Sequence, residues 1–391
     1  MTIISGVRTT ANINQKKLVV DMAEKIALLE PDKAPFVTCL KNIRRDTRVV
    51  YNPKFEWLED ELIGIRTLVN GAIASPSATT VTVDDGGIFR AYDIVKIPST
   101  GECMLVSEIA ANVLTVVRGY GSTAGAAIVD DAEILIVGNA QAENAAVRGI
   151  KSTQEMVCYN YTQIFRTPIG LSNTEKASKM YGGRDQDYQR KKAGIEHVRD
   201  IANAMYFGQR KEDTTGSTPR RTMGGVLEFL TTASRSVAFN STANKLTFRN
   251  FDAKVAREAF SYGSKDKLLV AGPYLAAAIN DWATQKLVTD VGKDKTQGIT
   301  VKNLITSYGD MKVIYDPLLK ESSIYAGYGF VLDLDNIRYA YLDGRDTRLN
   351  TNIQARDVDG VIDEYITECS VEFKQPKTHM LITGCYELLD A

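Results

Sequence analysis

Histidine is nearly missing from this chain, with two in 391 residues, and the two stand far apart at His197 and His379. Imidazole titrates near neutral pH and is the commonest metal ligand, so its scarcity leaves few ways to build acid–base or metal chemistry. Neither histidine has cysteine or aspartate at ligand spacing, and no serine or cysteine stands in a nucleophile motif with a histidine to activate it. A G-x-x-x-x-G-K-[ST] phosphate loop is lacking as well. The five cysteines, Cys39, Cys103, Cys158, Cys369 and Cys385, are odd in number and scattered, with no C-x-x-C pair, so reduced thiols in a cytoplasmic setting are expected. Long apolar runs are absent. No segment approaches the roughly 20 residues that cross a bilayer, and MTIISGVRTTANINQKK lacks the apolar core of a signal peptide, so synthesis in the cytosol and no membrane partner are expected. Excess charge is missing too: 47 basic residues face 48 acidic ones, for a net charge of -1. That excludes a general basic grip on nucleic acid. The short basic runs at Lys41 to Arg48, Arg190 to Lys192 and Arg220 to Arg221 are expected to be solvated or intersubunit patches.

Several partial motifs fail on context. Gly119, Gly121 and Gly125 follow a strand, as in a dinucleotide loop, but AAIVDDAEI leaves too little helix and no acidic residue for a ribose. Asp357, Asp359 and Gly360 with Asp363 and Glu364 hint at a calcium loop, yet the glycine comes two positions early and a third ligand is lacking, so a turn between strands is expected. Asp333 and Asp335 alternate as on one strand, which predicts a wet face or an intersubunit charge contact. His197 falls opposite the apolar side of its helix and is expected to be solvated or at an interface, while His379 belongs to a strand, KTHML. No catalytic residue, cofactor or metal site is assigned.

What the chain does contain is a folded composition, 44% hydrophobic and 24% charged, with length for two or three cores. Its organising stretch is Asp185 to Gly208, DQDYQRKKAGIEHVRDIANAMYFG, expected to form one helix. Asp185 suits an N-cap and Gly208 the left-handed residue after the last turn. At about 100° per residue, Tyr188, Ile195, Val198, Ala202, Met205 and Tyr206 share a stripe, while Arg190, Glu196, His197, Asp200 and Asn203 point elsewhere. About two dozen residues make a spine of about 36 Å.

The chain before this spine differs from the chain after it. Residues 1 to about 15 form a loose arm. Gln15 to Pro31 then places Leu18, Met22, Ile26 and Leu29 at helical spacing and stops at a proline; this short helix either docks on the body or reaches a neighbouring molecule. Pro35 to Arg66 alternates weakly as edge strand. Short strands at Val81 to Val83, Asp93 to Ile97, Met104 to Ile109, Leu114 to Val117 and Glu133 to Val137 predict a small closed barrel or sandwich inserted as a unit. The return limb, Ala140 to Thr174, predicts a long strand of a protruding ribbon, which is marginal in water without a partner surface. Beyond the spine come a polar loop, EDTTGSTPRRTMGG, a compact α/β unit from about Gly225 to Leu319, and closing strands expected to pack on the spine.

The order of arm, hairpin with β-insert, spine helix, α/β unit and closing strands resembles the major capsid proteins of tailed bacteriophages, an α+β class with the Hong Kong 97-type fold. The likeness rests on VDMAEKIALLEP, on VTVDDGGIFRAYDIVKIP with VLTVVRGYGSTAGAA in the insert, on EMVCYNYTQIFRTPIGLS, and on ECSVEFKQPKTHMLI; VCYNYTQIF is the most specific. It looks like a subfamily with an extra β-domain in the extended loop. The resemblance implies an N-terminal arm at 1–34, an extended loop and flanking strands at 35–74 and 139–184, an inserted β-domain at 75–138, the spine of a peripheral domain at 185–224, an axial domain at 225–330 and mainly peripheral closing strands at 331–391. It implies a structural protein, not an enzyme, that self-assembles as hexamers and pentamers into an icosahedral virion shell around double-stranded DNA without sequence-specific contacts. Portal, scaffold and decoration proteins are the implied partners, and the host cytoplasm the place of synthesis. Some relatives join subunits through a lysine and an asparagine; no stretch matches a motif for that, so no linking residue is carried over. Two alternatives stand beside it, a tail or neck ring and a cytosolic α/β enzyme.

Overall fold

In the computed structural model the described residues are 35–42, 47–178, 185–241, 244–286, 295–296, 299–300 and 302–386. The expected helix at Gln15 to Pro31 lies outside them. The chain forms two compact units, one from residues 58–158 and one from the chain on either side.

Within residues 58–158, six antiparallel strands run in the order Arg66–Leu68, Glu133–Asn139, Asp93–Lys96, Cys103–Ala110, Val113–Val117, Thr80–Thr82. A bridge between Val69 and Val83 joins the two ends of that order, so the sheet closes on itself as a small barrel. Period-2 alternation supplies its core. Val81 and Val83, Val95 and Ile97, Met104 and Val106, Leu114 and Val116 all point inward and are buried, with Phe89, Ile128 and Ile134 filling the centre. Because Arg66–Leu68 is a wall strand, the barrel begins before the expected boundary at residue 75. Gly86 sits where any Cβ would overlap the carbonyl of Ala111, and the Asn112 side chain closes the gap by accepting the Gly86 N–H at 3.1 Å and donating to the Asp84 carbonyl at 3.0 Å.

The other unit holds two sheets. In the first, Gly360–Phe373 is the central strand, flanked by Gln163–Ser172 on one side and Ile337–Leu342 on the other, with Arg48–Val50 parallel to the latter and Arg348–Asn350 also paired to the centre. The second runs in the order Ser236–Ala238, Met380–Thr383, Gly329–Leu332, Asp266–Ala271, Asp310–Tyr315, Lys302–Ile305. Its Asp266–Ala271 and Asp310–Tyr315 pair in parallel, and Leu269, Ala271 and Met311 form a buried cluster with Phe251, Val255, Leu275 and Trp282. These come from the helical stretch Phe248–Ala259, which contains a π turn at Asp252–Ala256, and from the helix Pro273–Lys286.

The helix Asp185–Phe207 buries Ala193, His197, Ile201, Ala202, Met205 and Tyr206. The stripe is therefore rotated from the expected one, with Ile195 and Val198 only half-buried, because a histidine with hydroxyl partners occupies its middle. Gly208 is not in the left-handed region. It is required by close approach, since a Cβ there would lie 2.5 Å from the carbonyls of Ala204 and Met223.

Other expectations are corrected. Pro35–Asn42 is a helix, not edge strand, with Phe36, Val37 and Leu40 buried; proline suits a first helical turn and the apolar spacing is helical. The return limb is no free ribbon: Gln163–Ser172 pairs with Gly360–Phe373 over ten residues at home, though Met156–Tyr161 pairs with Lys54–Glu59 alone. Lys211–Asp213 and Arg220–Thr222 form a hairpin where a loop was expected. Met380–Thr383 belongs to the second sheet, not to the sheet whose central strand faces the spine.

Candidate functional site

The central strand Gly360–Phe373 carries charge on both faces. Odd-numbered residues turn to the spine helix. There Asp363 accepts from Arg190 Nε at 2.8 Å and from the Asn352 N–H at 3.0 Å, which holds its carboxyl below the usual range against the opposing effect of burial. His197 lies between two hydroxyls, with Thr167 Oγ1 at 2.9 Å from Nδ1 and Thr367 Oγ1 at 2.7 Å from Nε2. Thr367 donates onward to Thr347 at 3.0 Å, so the hydroxyl of Thr367 accepts from His197 Nε2. The expectation of a solvated His197 is thus overturned; it is 1% exposed.

Even-numbered residues make the opposite face. Glu364, Glu368 and Glu372 follow one another every four residues, about 13 Å apart along the strand. Each buried carboxylate lies under an arginine: Arg166 Nε at 2.6 Å, Arg345 Nε at 2.5 Å and Arg48 Nη1 at 2.9 Å, with Lys374 sharing Glu372. The arginine side chains are 62%, 36% and 33% exposed, while the carboxylates are almost wholly covered. The face presented outward is therefore a row of compensated guanidiniums, polar yet close to neutral.

Asn160, in the stretch VCYNYTQIF, forms a saturated polar knot. Its Nδ2 donates to Gly224 O at 3.1 Å and Val371 O at 2.8 Å, while its Oδ1 accepts the N–H of Gly224 and of Tyr161, each at 2.8 Å. Arg210 packs beside it, 4.9 Å from the ring centres of both Tyr159 and Phe229.

Two further buried groups pin the second sheet. Lys267 Nζ donates to Thr378 O at 2.7 Å, Tyr262 O at 3.0 Å and Asp333 Oδ2 at 3.3 Å, with both charged side chains fully covered. Burial pulls the lysine pKa down while Asp333 opposes it. Asp333 also accepts the N–H and hydroxyl of Ser264 and the N–H of Asp335. It sits in a turn after Gly329–Leu332, so the expected wet strand face is corrected; of the two aspartates only Asp335 is exposed. His379 accepts the Asp333 N–H at Nδ1, 2.9 Å, and donates from Nε2 to Lys374 O, 3.2 Å; burial lowers its pKa to about 3. At the edge of the same sheet, Asp316 accepts Tyr206 Oη at 2.7 Å and the Leu318 N–H at 2.9 Å, together with the N–H of Phe36.

In the barrel, the glycine-bearing loop at Gly119 to Gly125 wraps a buried ion pair. Arg118 donates to Glu102 from Nε and Nη2, each at 2.7 Å, and Glu102 also accepts the N–H of Gly119 and Ala126. The loop N–H groups are aimed at an internal carboxylate, which accounts for the motif without a ligand. Asp357 and Asp359 lie in the turn before the central strand, whereas Asp363 and Glu364 are on opposite faces of that strand; the arrangement gathers no calcium ligands from them. Among the described residues no group of three or more His, Cys, Asp or Glu could hold a metal ion, and no helix is long and apolar enough to cross a membrane.

The family model of the SU10 major capsid protein matches residues 3–386. The chain belongs to that family. This capsid protein is 24% identical over 292 residues to the major capsid protein of Pseudomonas phage PaMx41, covering 71% of this chain and 68% of that one. Among solved structures it resembles the capsid of a native GTA particle, with a TM-score of 0.50, 11% identity, and coverage of 96% of this chain and 98% of that one. A chain from Mycobacterium phage Bobi gives a TM-score of 0.48 at 7% identity, covering 96% and 98%. The fold is the α+β Hong Kong 97-like fold.

Sequence reasoning about this capsid protein missed Lys267, Asp316, the Glu102–Arg118 pair and the glutamate row. The last had a signal. In GVIDEYITECSVEF, charged residues interrupt an otherwise strand-like run at positions 364, 368 and 372, which is an even spacing that keeps them on one face.

Proposed function

We propose that this capsid protein self-assembles, as hexamers and pentamers, into an icosahedral shell around double-stranded DNA, and acts as a structural component with no catalytic role. It is made in the host cytoplasm and resides in the virion, with portal and scaffold proteins as helpers. The sheet carrying the spine helix serves as the peripheral domain and the second sheet as the axial one. The barrel serves as the domain inserted in the extended loop, projecting outward where a decoration protein can bind.

The observation that carries this is the match of a major capsid family model to nearly the whole chain. Surface chemistry supports it. Leu62, Val147 and Ile150 are 97%, 92% and 91% exposed, and Leu58, Ile65 and Met156 are each above 60%. These all flank the barrel strands in sequence. Large side chains left this bare suit contacts with sister copies, because permanent assemblies bury above about 2,000 Å² and each Å² of apolar surface contributes roughly 25 cal/mol before association costs. A subunit of net charge -1 also avoids the repulsion that hundreds of like-charged copies would build up. Electron microscopy of the purified protein is expected to show closed shells or five- and six-membered capsomers. A strictly monomeric species at high concentration, or only a single ring or tube, would sink the proposal.

A further inference from the structure

A cavity of about 780 Å³ opens on the wall of the barrel. It lies between the stretch 89–92, the strand Cys103–Ala110 and the segment 141–151, which belongs to no helix or strand. The volume falls within the roughly 300–1,000 Å³ of pockets that hold compact organic ligands, and far exceeds what a bare phosphate fills. Three cations line it, Arg90, Arg148 and Lys151. Lys151 Nζ donates to Gly87 O at 2.9 Å and to Phe89 O, Arg90 Nη2 donates to Lys151 O at 3.2 Å, and Arg148 Nη2 donates to Asp93. The covered carboxylate of Asp93 also accepts the Arg90 N–H at 2.7 Å. Against the three cations stand only this aspartate and the exposed Glu108 of the lining, so the site keeps one positive charge in excess.

Two donors of this cluster have nothing to donate to. Arg90 Nε and Arg148 Nε are closed off from solvent without a hydrogen-bond partner among the described residues. An N–H that has left water and gained no acceptor is costly, and an ionised oxygen relieves it best. The same lining carries Val147 and Ile150, both almost fully exposed. Cationic donors, bare apolar side chains and backbone outside any sheet or helix therefore meet around one cavity.

We propose that this cavity is a recognition site for a carboxylate carried by an extended apolar peptide, either at a chain terminus or on an aspartate or glutamate side chain. The guanidiniums of Arg90 and Arg148 hold the carboxylate, Val147 and Ile150 cover the apolar residues beside it, and backbone groups of 141–151 bond the peptide main chain. The volume and the apolar lining select a peptide over a free inorganic anion, and the positive excess selects an acidic segment over a neutral one. The site lies within the unit of residues 58–158, and the proposal does not depend on shell assembly.

Fluorescence anisotropy with the full chain tests this, using labelled Gly-Ser-Val-Val-Ile with a free terminal carboxylate, the same peptide amidated, and the amidated peptide with an aspartate between its two valines. At least one of the two carboxylate peptides is expected to bind about tenfold more tightly than the neutral amide. Which of them binds names the source of the carboxylate. Sodium phosphate at the peptide's own concentration is expected to leave the complex in place. Arg90→Gln is expected to weaken binding about tenfold, Arg90→Lys to recover part of the loss, and Glu108→Gln, which removes a repelling charge, to tighten it. Equal binding of all three peptides, no binding at millimolar peptide, or displacement by phosphate would overturn the proposal. So would an Arg90→Gln chain that binds as the parent does. The comparison of acid with amide uses the unaltered chain, and decides the matter if a variant fails to fold.

Discussion

Asp316 ties three parts of the chain together, the end of the strand Asp310–Tyr315, the spine helix through Tyr206 and the first described helix through Phe36. Burial raises its pKa to about 6, against the hydrogen bonds that pull it down. Between about pH 4 and pH 6 the folded state therefore holds a proton that the unfolded state has lost, and the stability from this group falls as pH rises through that window. Asp316→Asn cannot ionise. Its stability relative to the parent is expected to improve by about 2–3 kcal/mol from pH 4 to pH 7, read by denaturant unfolding at both pH values; a constant difference would refute the assignment. His379 has the opposite sign: its folded pKa of about 3 lies below the usual value, so its contribution is present above about pH 6.5 and is lost as pH falls. Lys267→Met leaves Asp333 buried without its cation and is expected to cost about 3–5 kcal/mol. Adding Asp333→Asn should recover part of that loss, and an unfolding titration of the single and double variants checks both.

At the scale of elements, the spine helix shows how a polar residue can sit in a core stripe. Its buried positions at 193, 197, 201 and 205 recur every four residues, and His197 fills one because Thr167 and Thr367 meet both ring nitrogens. His197→Leu keeps the volume, takes from Thr167 its imidazole partner and leaves Thr367 with Thr347 alone. A cost of about 1–3 kcal/mol is expected, with the helix retained by circular dichroism; a stabilised variant would show that the hydroxyls find other partners. The barrel uses the same economy in reverse. One arginine and one glutamate are buried in its wall, each with its hydrogen-bonding groups occupied by backbone of the adjoining loops.

At the scale of the whole molecule, the division into two compact units predicts two unfolding transitions. Glu102→Ala removes the partner of buried Arg118 and is expected to lower the transition of residues 58–158 by about 3–5 kcal/mol while leaving the other in place. Calorimetry separates them; a single transition that shifts as a whole would refute the division. The barrel was legible because strict alternation over short runs between turn signals has one main solution, and the observed strands at Asp93–Lys96 and Val113–Val117 lie within a residue of those expected. The phase of the spine was not legible, because periodicity counts a histidine as polar and cannot see the threonines that satisfy it.

The amino-acid order alone determined the extent of the spine helix, that a β-barrel is set into a longer host, and which family the chain resembles, since all three follow from local spacing and from phrases such as VCYNYTQIF. The tertiary structure decided what charge does here. Glu364, Glu368, Glu372, Lys267, Asp316 and Glu102 look alike as solvated residues in the sequence, and become structural pins only because partners as far as 324 positions away close over them, where loss of water makes each pairing obligatory.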